Sequence, residues 1–140
     1  MNLNVFNRYQ IAKQALKFGA VGILNTVLTL FIIWLLYSVF NANYYVANAI
    51  GYIAGFTNSF ILNKIWTFES KGNVFLESLL FIFVFLISYG VQVVVLWICM
   101  SKLNLSVVVS QGIAMCGYTA VNFLGNKFIT FGGLNAKAEI

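Results

Sequence analysis

The chain has 140 residues, 61% of them hydrophobic and 8% charged, with a net charge of +5 and a mean hydropathy of +0.92. Soluble domains carry about a quarter charged residues, so three acidic and eight basic side chains cannot solvate so apolar a surface. A water-soluble enzyme is thereby excluded, and lipid is the expected solvent for one domain covering residues 1–140.

In chain order, residues 4–17 are predicted to form a short interfacial helix. Lys13 and Lys17 lie one turn apart, while Phe6, Tyr9 and Ile11 can enter a headgroup layer. An apolar run over 18–40 follows, too long for a signal-peptide core and without a small-x-small cleavage site. Asn41-Ala42-Asn43 makes a tight turn into a second run, 44–63. A polar connection, 64–75, carries Lys64, Glu69 and Lys71. The third run is 76–100, Ser101–Asn104 is another tight turn, and the fourth run is 105–126. At about 1.5 Å per residue each run can cross roughly 30 Å of hydrocarbon. Apart from Glu77 at the start of the third, none contains Asp, Glu, Lys or Arg. The predicted class is an all-α membrane protein of four transmembrane helices plus the interfacial helix.

Charge sets the orientation. Arg8, Lys13, Lys17, Lys64, Lys71, Lys127 and Lys137 fall on one side of these spans and only Lys102 on the other. Positive charge stays cytoplasmic, so both termini and the middle connection are expected inside. The basic residues flank apolar runs instead of forming a stripe on a polar surface, which argues against nucleic acid as a partner. Trp66, Phe68, Phe128 and Phe131 fall where an interfacial aromatic belt belongs. Cys99 and Cys116 lie within apolar runs and read as small buried side chains.

A displacement of 63 residues aligns the halves without a gap. Asn63-Lys64-x-x-Thr67-Phe68 falls on Asn126-Lys127-x-x-Thr130-Phe131. Phe18, Trp34, Ser38, Asn41, Val46, Ile50 and Phe60 fall on identical residues. Because each half starts and ends on the cytoplasmic side, the copies are predicted to be parallel hairpins related by an axis along the membrane normal.

Polar residues recur at helical spacing. The second span carries Asn48, Gly51, Gly55 and Asn58 on one face, and the fourth carries Gln111, Met115, Tyr118 and Asn122. Asn25 and Thr29 in the first have Ser88 and Gln92 as equivalents in the third; Asn63 and Asn126 end the second and fourth. Two readings stand. These groups are interhelical glue, worth about 0.6 kcal/mol each, or they line a path for a polar headgroup, since an amide both donates to and accepts from sugar hydroxyls. Lys64 and Lys127 likewise read either as snorkelling anchors or as a pair at headgroup depth holding a lipid phosphate.

No mid-span carboxylate, His, phosphate-cradling loop or nucleophile–base pair is present. Catalysis, a cofactor and a metal are not expected, and proton-coupled exchange lacks the intramembrane ionisable group it usually needs.

Lys17-Phe18-Gly19-Ala20-Val21-Gly22, together with Asn58-Ser59-Phe60-x-x-Asn63-Lys64-x-Trp66-Thr67-Phe68, resembles the GtrA-like family over about 17–131. Lys64 stands where that family more often has Arg. The resemblance implies a multi-pass protein of the plasma (inner) membrane serving cell-surface polysaccharide or teichoic-acid glycosylation. It would flip a polyprenyl-phosphate-linked sugar, made by a partner membrane glycosyltransferase, to the outer leaflet. The phosphate would dock at Lys64, Lys127 and Lys17, and the sugar would follow Asn25, Asn48, Asn58, Asn63, Gln92, Gln111, Asn122 and Asn126. Membrane lipids surround it, and four helices make so thin a wall that a homo-oligomer is expected. The alternatives are a non-transporting anchor for the glycosyltransferase and, less supported, a small multidrug-type exporter.

Overall fold

With no proline anywhere in the chain, nothing interrupts the backbone hydrogen bonding of its apolar runs, and they become long helices. The computed structural model describes residues 3–132, all of them helical or in short connections. Helix α1 is Leu3–Trp34, prolonged by a π-helical turn, Leu35–Val39. Helix α2 is Tyr44–Leu62, prolonged by a π turn, Asn63–Thr67. Helix α3 is Val74–Ser101, and α4 is Val107–Gly125 with a third π turn, Asn126–Thr130. Three stretches, Arg8–Val39, Val74–Ser101 and Val107–Thr130, are long and apolar enough to cross a membrane. The 19 residues of α2, which include Asn48, Thr57, Asn58 and Ser59, fall outside that set.

The interfacial helix expected over 4–17 is not a separate element. Leu3–Trp34 is one helix of 32 residues, about 48 Å long, because no Gly or Pro breaks it before Lys17. The Phe6 side chain, expected in the headgroup layer, and Lys137, expected among the cytoplasmic charges, lie outside the described residues.

The chain divides into two compact units, Met1–Glu69 and Ser70–Ile140, and each is a helical hairpin. In the first, α1 and α2 run antiparallel. Phe18 meets Phe68 with ring centroids 6.2 Å apart, Asn25 and Thr29 face Gly55, and Ile33 faces Gly51. A Cβ on Gly55 would overlap Thr29 Oγ1 and stand 2.8 Å from Asn25 Oδ1, so these glycines allow the close approach that small residues permit between membrane helices.

The second hairpin repeats this order. Phe81 meets Phe131 with centroids again 6.2 Å apart, Val84 covers Gly125, and Ser88 meets Asn122. Val21 and Val84, identical at the same displacement, are both buried. The turns repeat as well. Asn41 and Asn104 take left-handed backbone, with φ of 51° and 50°, which Asn tolerates better than most residues. Asn43 and Ser106 then cap α2 and α4, accepting from the Tyr45 and Val109 N–H groups. Beside the second turn, Lys102 Nζ lies 5.5 Å over the Trp97 ring.

Burial is inverted relative to a soluble domain. Asn63, Thr67, Glu77, Ser88, Ser110, Asn126 and Thr130 are at most 2% exposed, while Leu16, Ile23, Phe75 and Val108 are each at least 70% exposed. Such a surface suits hydrocarbon.

Candidate functional site

Both hairpins close at one end in the same local structure. The Phe68 N–H donates to the Asn63 carbonyl at 2.9 Å, and the Phe131 N–H donates to the Asn126 carbonyl at 2.9 Å. These i→i+5 bonds widen the last turn, the π-bulge geometry that recurs at functional sites. The widened turns bury Asn63 with Thr67, and Asn126 with Thr130. In each copy the Asn Oδ1 and the Thr Oγ1 are without a partner among the described residues.

Spans two and four were expected to end at these asparagines. Instead helical winding continues past Lys64 and Lys127, which are half-buried within the π turns. Lys127 Nζ lies 6.0 Å from the Phe123 ring centroid and 5.7 Å from that of Phe128, within cation–π range.

Lys17 closes the same end of the first hairpin. Its Nζ donates to the Trp66 carbonyl at 2.7 Å and to Glu69 Oε1 at 3.1 Å, and lies 5.4 Å over the Trp66 indole. The Lys17 side chain is 17% exposed and that of Glu69 72%. Glu69 also has a positive φ of 52°, outside the helical region and costly for a residue with a Cβ.

The amide residues divide. In the second hairpin, Asn126 Nδ2 donates to the Asn122 carbonyl and to Asn122 Oδ1, both at 2.9 Å. Asn122 Nδ2 in turn lies 3.4 Å from Ser88 Oγ and 3.5 Å from the Tyr118 hydroxyl. In the first, Asn63 Nδ2 donates to Ser59 Oγ at 3.3 Å, and Asn25 Oδ1 is buried beside Gly55. Asn48, Asn58 and Gln92 are half-buried, whereas Gln111 is exposed. The structure thus joins Ser88, Tyr118, Asn122 and Asn126 into one network and leaves Gln111 outside it.

Phe131 is not a belt residue facing headgroups: it is buried against Phe81, because the π turn rotates it into its hairpin. Phe68, its counterpart, is half-buried on Phe18, while Trp66 stays exposed. Cys99 is buried, but Cys116 is exposed, since two residues on from the buried Ala114 it lies nearly across α4 from it.

Glu77, at the start of the third span, has a completely buried side chain. It accepts a short hydrogen bond from Ser70 Oγ, whose oxygen also accepts from the Gly72 N–H at 3.2 Å. A Cβ on Gly72 would overlap Glu77 Oε1. The carboxylate sits in the first turn of α3, where the helix dipole favours it. The internal displacement was the available signal, because it pairs Glu77 with Gln14, whose Oε1 is buried too.

Residues 17–131 match the family described as GtrA/DPMS, transmembrane domain. A protein of Bacillus subtilis (strain 168) named "Uncharacterized membrane protein YngA" is 28% identical over 117 residues, covering 83% of this chain and 78% of that protein.

Proposed function

Because the chain belongs to the GtrA/DPMS transmembrane-domain family, and is therefore a membrane protein, we propose that it flips a polyprenyl-phosphate-linked sugar from the cytoplasmic to the outer leaflet for glycosylation at the cell surface. The family match carries this reading. The inverted burial supports it: apolar side chains face outward along the helices, while Thr29 and Asn63 in one hairpin and Ser88, Ser110, Asn122 and Asn126 in the other are buried.

In this reading α2 also spans, both termini lie in the cytoplasm of the plasma membrane, and the phosphate is taken from the inner leaflet by Lys17 and Lys64 in the first hairpin and by Lys127 in the second. The sugar exchanges hydrogen bonds along the Asn and Gln side chains while the prenyl chain stays in lipid. No nucleotide is consumed, so the gradient made by a partner glycosyltransferase drives net movement. The protein moves a substrate and makes or breaks no covalent bond.

One observation favours helix partners, a second copy or the glycosyltransferase. Gly19, Gly22, Gly90 and Gly112 have open space where a Cβ would stand. A helical Gly costs about 1 kcal/mol relative to Ala, and another helix packed on these faces explains its use.

The test is a flipping assay on purified protein in vesicles with a labelled short-chain prenyl-phosphate sugar. Loss of leaflet protection that depends on the protein is expected. Label that stays in its original leaflet at every protein density would sink the transport reading and leave the anchoring role, which co-purification with the glycosyltransferase then examines.

A further inference from the structure

Within the first hairpin, a cavity of about 160 Å³ opens between the start of α1 and the end of α2. Lys13, Gln14, Lys17, Thr67 and Glu69 line it, with Phe68 beside them. It is roomier than a single water needs, and its chemistry is unusual for so apolar a chain. Lys13 and Lys17, four apart on one helix, present two ammonium groups to the same face.

Two polar groups on its wall are unsatisfied. Thr67 is 2% exposed, and its Oγ1 has no partner among the described residues; Gln14 Oε1 is also buried and without a partner. A buried polar group in that state calls for an explanation such as a ligand or ordered solvent.

The cavity's strongest donor is already engaged, and by an anion. Lys17 Nζ is held between Glu69 Oε1 at 3.1 Å and the Trp66 carbonyl at 2.7 Å. The Glu69 end of this pair is readily detached: its side chain is 72% exposed, it sits on a left-handed backbone with φ of 52°, and ion pairs open to solvent hold weakly.

The second hairpin has no such cavity chemistry. At the same displacement, Lys13, Gln14 and Lys17 become Leu76, Glu77 and Leu80, and Glu69 becomes Gly132. Only Thr67 and Phe68 persist, as Thr130 and Phe131. Two copies that share their turns, caps and aromatic pairs have diverged here from two cations to none.

We propose that this cavity is a phosphate-ester site in which the ligand's phosphate displaces the Glu69 carboxylate from Lys17, with Lys13, Gln14 and Thr67 completing the contacts. Lys and Thr donate to phosphate oxygens, and the Gln14 amide donates once it turns its nitrogen inward. Glu69 is the resident stand-in: it holds the Lys17 ammonium in place while the site is empty and competes with the incoming anion. The inference rests on the transport reading for its biological role but not for its test. The recognised chemistry is a phosphate ester, whose source is a lipid headgroup or a soluble sugar phosphate.

The experiment is calorimetric titration of the full-length protein in detergent with farnesyl phosphate and, separately, with glucose 1-phosphate. Wild type is expected to bind at least one probe. Glu69→Gln, which removes the competing charge and keeps the side-chain shape, should tighten binding at least threefold. Lys13→Gln with Lys17→Gln should weaken it tenfold or more, Thr67→Val about threefold, and Lys102→Gln, which does not line the cavity, less than twofold. Binding of both probes identifies the phosphate ester alone as the recognised group, and binding of farnesyl phosphate alone identifies a lipid headgroup; both support the site. Absence of binding by either probe, or a Glu69→Gln affinity equal to or below wild type, overturns it. Glu69→Gln guards the test if the double lysine variant misfolds. Binding that follows this pattern without flipping in vesicles would retain the site and reject transport; flipping with no binding pattern would do the reverse.

Discussion

The side-chain amide of Asn126 donates at 2.9 Å to both the carbonyl and the Oδ1 of Asn122, a double tie that its counterpart Asn63, with one 3.3 Å bond to Ser59, does not make. The two asparagines are equivalent in the repeat, but Ser59 stands four residues before one and Asn122 before the other, and the difference in bonding is measurable as a difference in stability. Interhelical and capping bonds in membranes are worth about 0.6–1.5 kcal/mol each. Asn126→Ala is expected to cost about 1–2 kcal/mol and Asn63→Ala about half that, by thermal or denaturant unfolding in detergent. Equal losses would mean that the double tie contributes nothing.

Glycines in α1 and α2 separate into two classes. Gly55→Ala places a methyl against Thr29 Oγ1 and Asn25 Oδ1, and overpacking of that kind costs about 1–3 kcal/mol. Gly22→Ala meets nothing within 4 Å and gains up to about 1 kcal/mol of helix propensity. Melting temperatures in detergent should therefore move in opposite directions. A Gly22→Ala loss in vesicles alone would instead reveal a partner helix on that face.

At the hairpin turns, Asn41 and Asn104 have φ near 50°, a region that costs β-branched residues about 1–2 kcal/mol. Asn41→Val and Asn104→Val should each lower stability by about that amount, and the Gly replacements should be tolerated. Hydrogen exchange at the turns gives the residue-level readout.

Around Glu77, the prediction is a coupling. Glu77→Ala leaves the buried Ser70 hydroxyl without its acceptor, a loss of about 1–3 kcal/mol; Glu77→Gln retains an acceptor and should lose less. Gly72→Ala collides with Glu77 Oε1, so its penalty should shrink when Glu77 is already Ala. Additive losses in this double-mutant cycle would show that the collision is relieved elsewhere.

Orientation is open to labelling. In a background with Cys99 and Cys116 replaced by Ala, Lys71→Cys should react with a membrane-impermeant maleimide only after cells are opened. Lys102→Cys should react in intact cells. The reverse pattern would invert the proposed direction of transport.

The helices and the turns between them were readable from hydropathy and turn composition, because apolar runs of this length report burial in lipid directly. The Asn63-Lys64-x-x-Thr67-Phe68 repeat was equally plain, yet nothing in it announced a π turn. Hydrophobic spacing distinguishes a period of 3.6 from one of 2, not an i→i+5 bond from an i→i+4 one. That single turn explains two differences. It carries the winding past Lys64 and Lys127, and it turns Phe131 onto Phe81. The burial of Glu77 was not legible for another reason: a charged residue at a helix start ordinarily faces solvent, and its burial depends on Ser70 and Gly72, short residues in a connection with no periodicity to read. Asn41 and Asn104 matched in the repeat, and their shared left-handed backbone is the physical reason the match has meaning.

The placement of Lys102 bears on how the chain is made. In the proposed orientation, the two far turns are the only connections that a ribosome-bound chain must push through the bilayer, and Lys102 is the one cation they contain. A lysine at the bilayer centre is disfavoured by about 2.5–3.5 kcal/mol on insertion scales, a barrier met once. On arrival its ammonium rests 5.5 Å over the Trp97 indole, an amphipathic ring suited to the outer interface. In that orientation biogenesis would reduce to two hairpin insertions, each initiated by charges held in the cytosol.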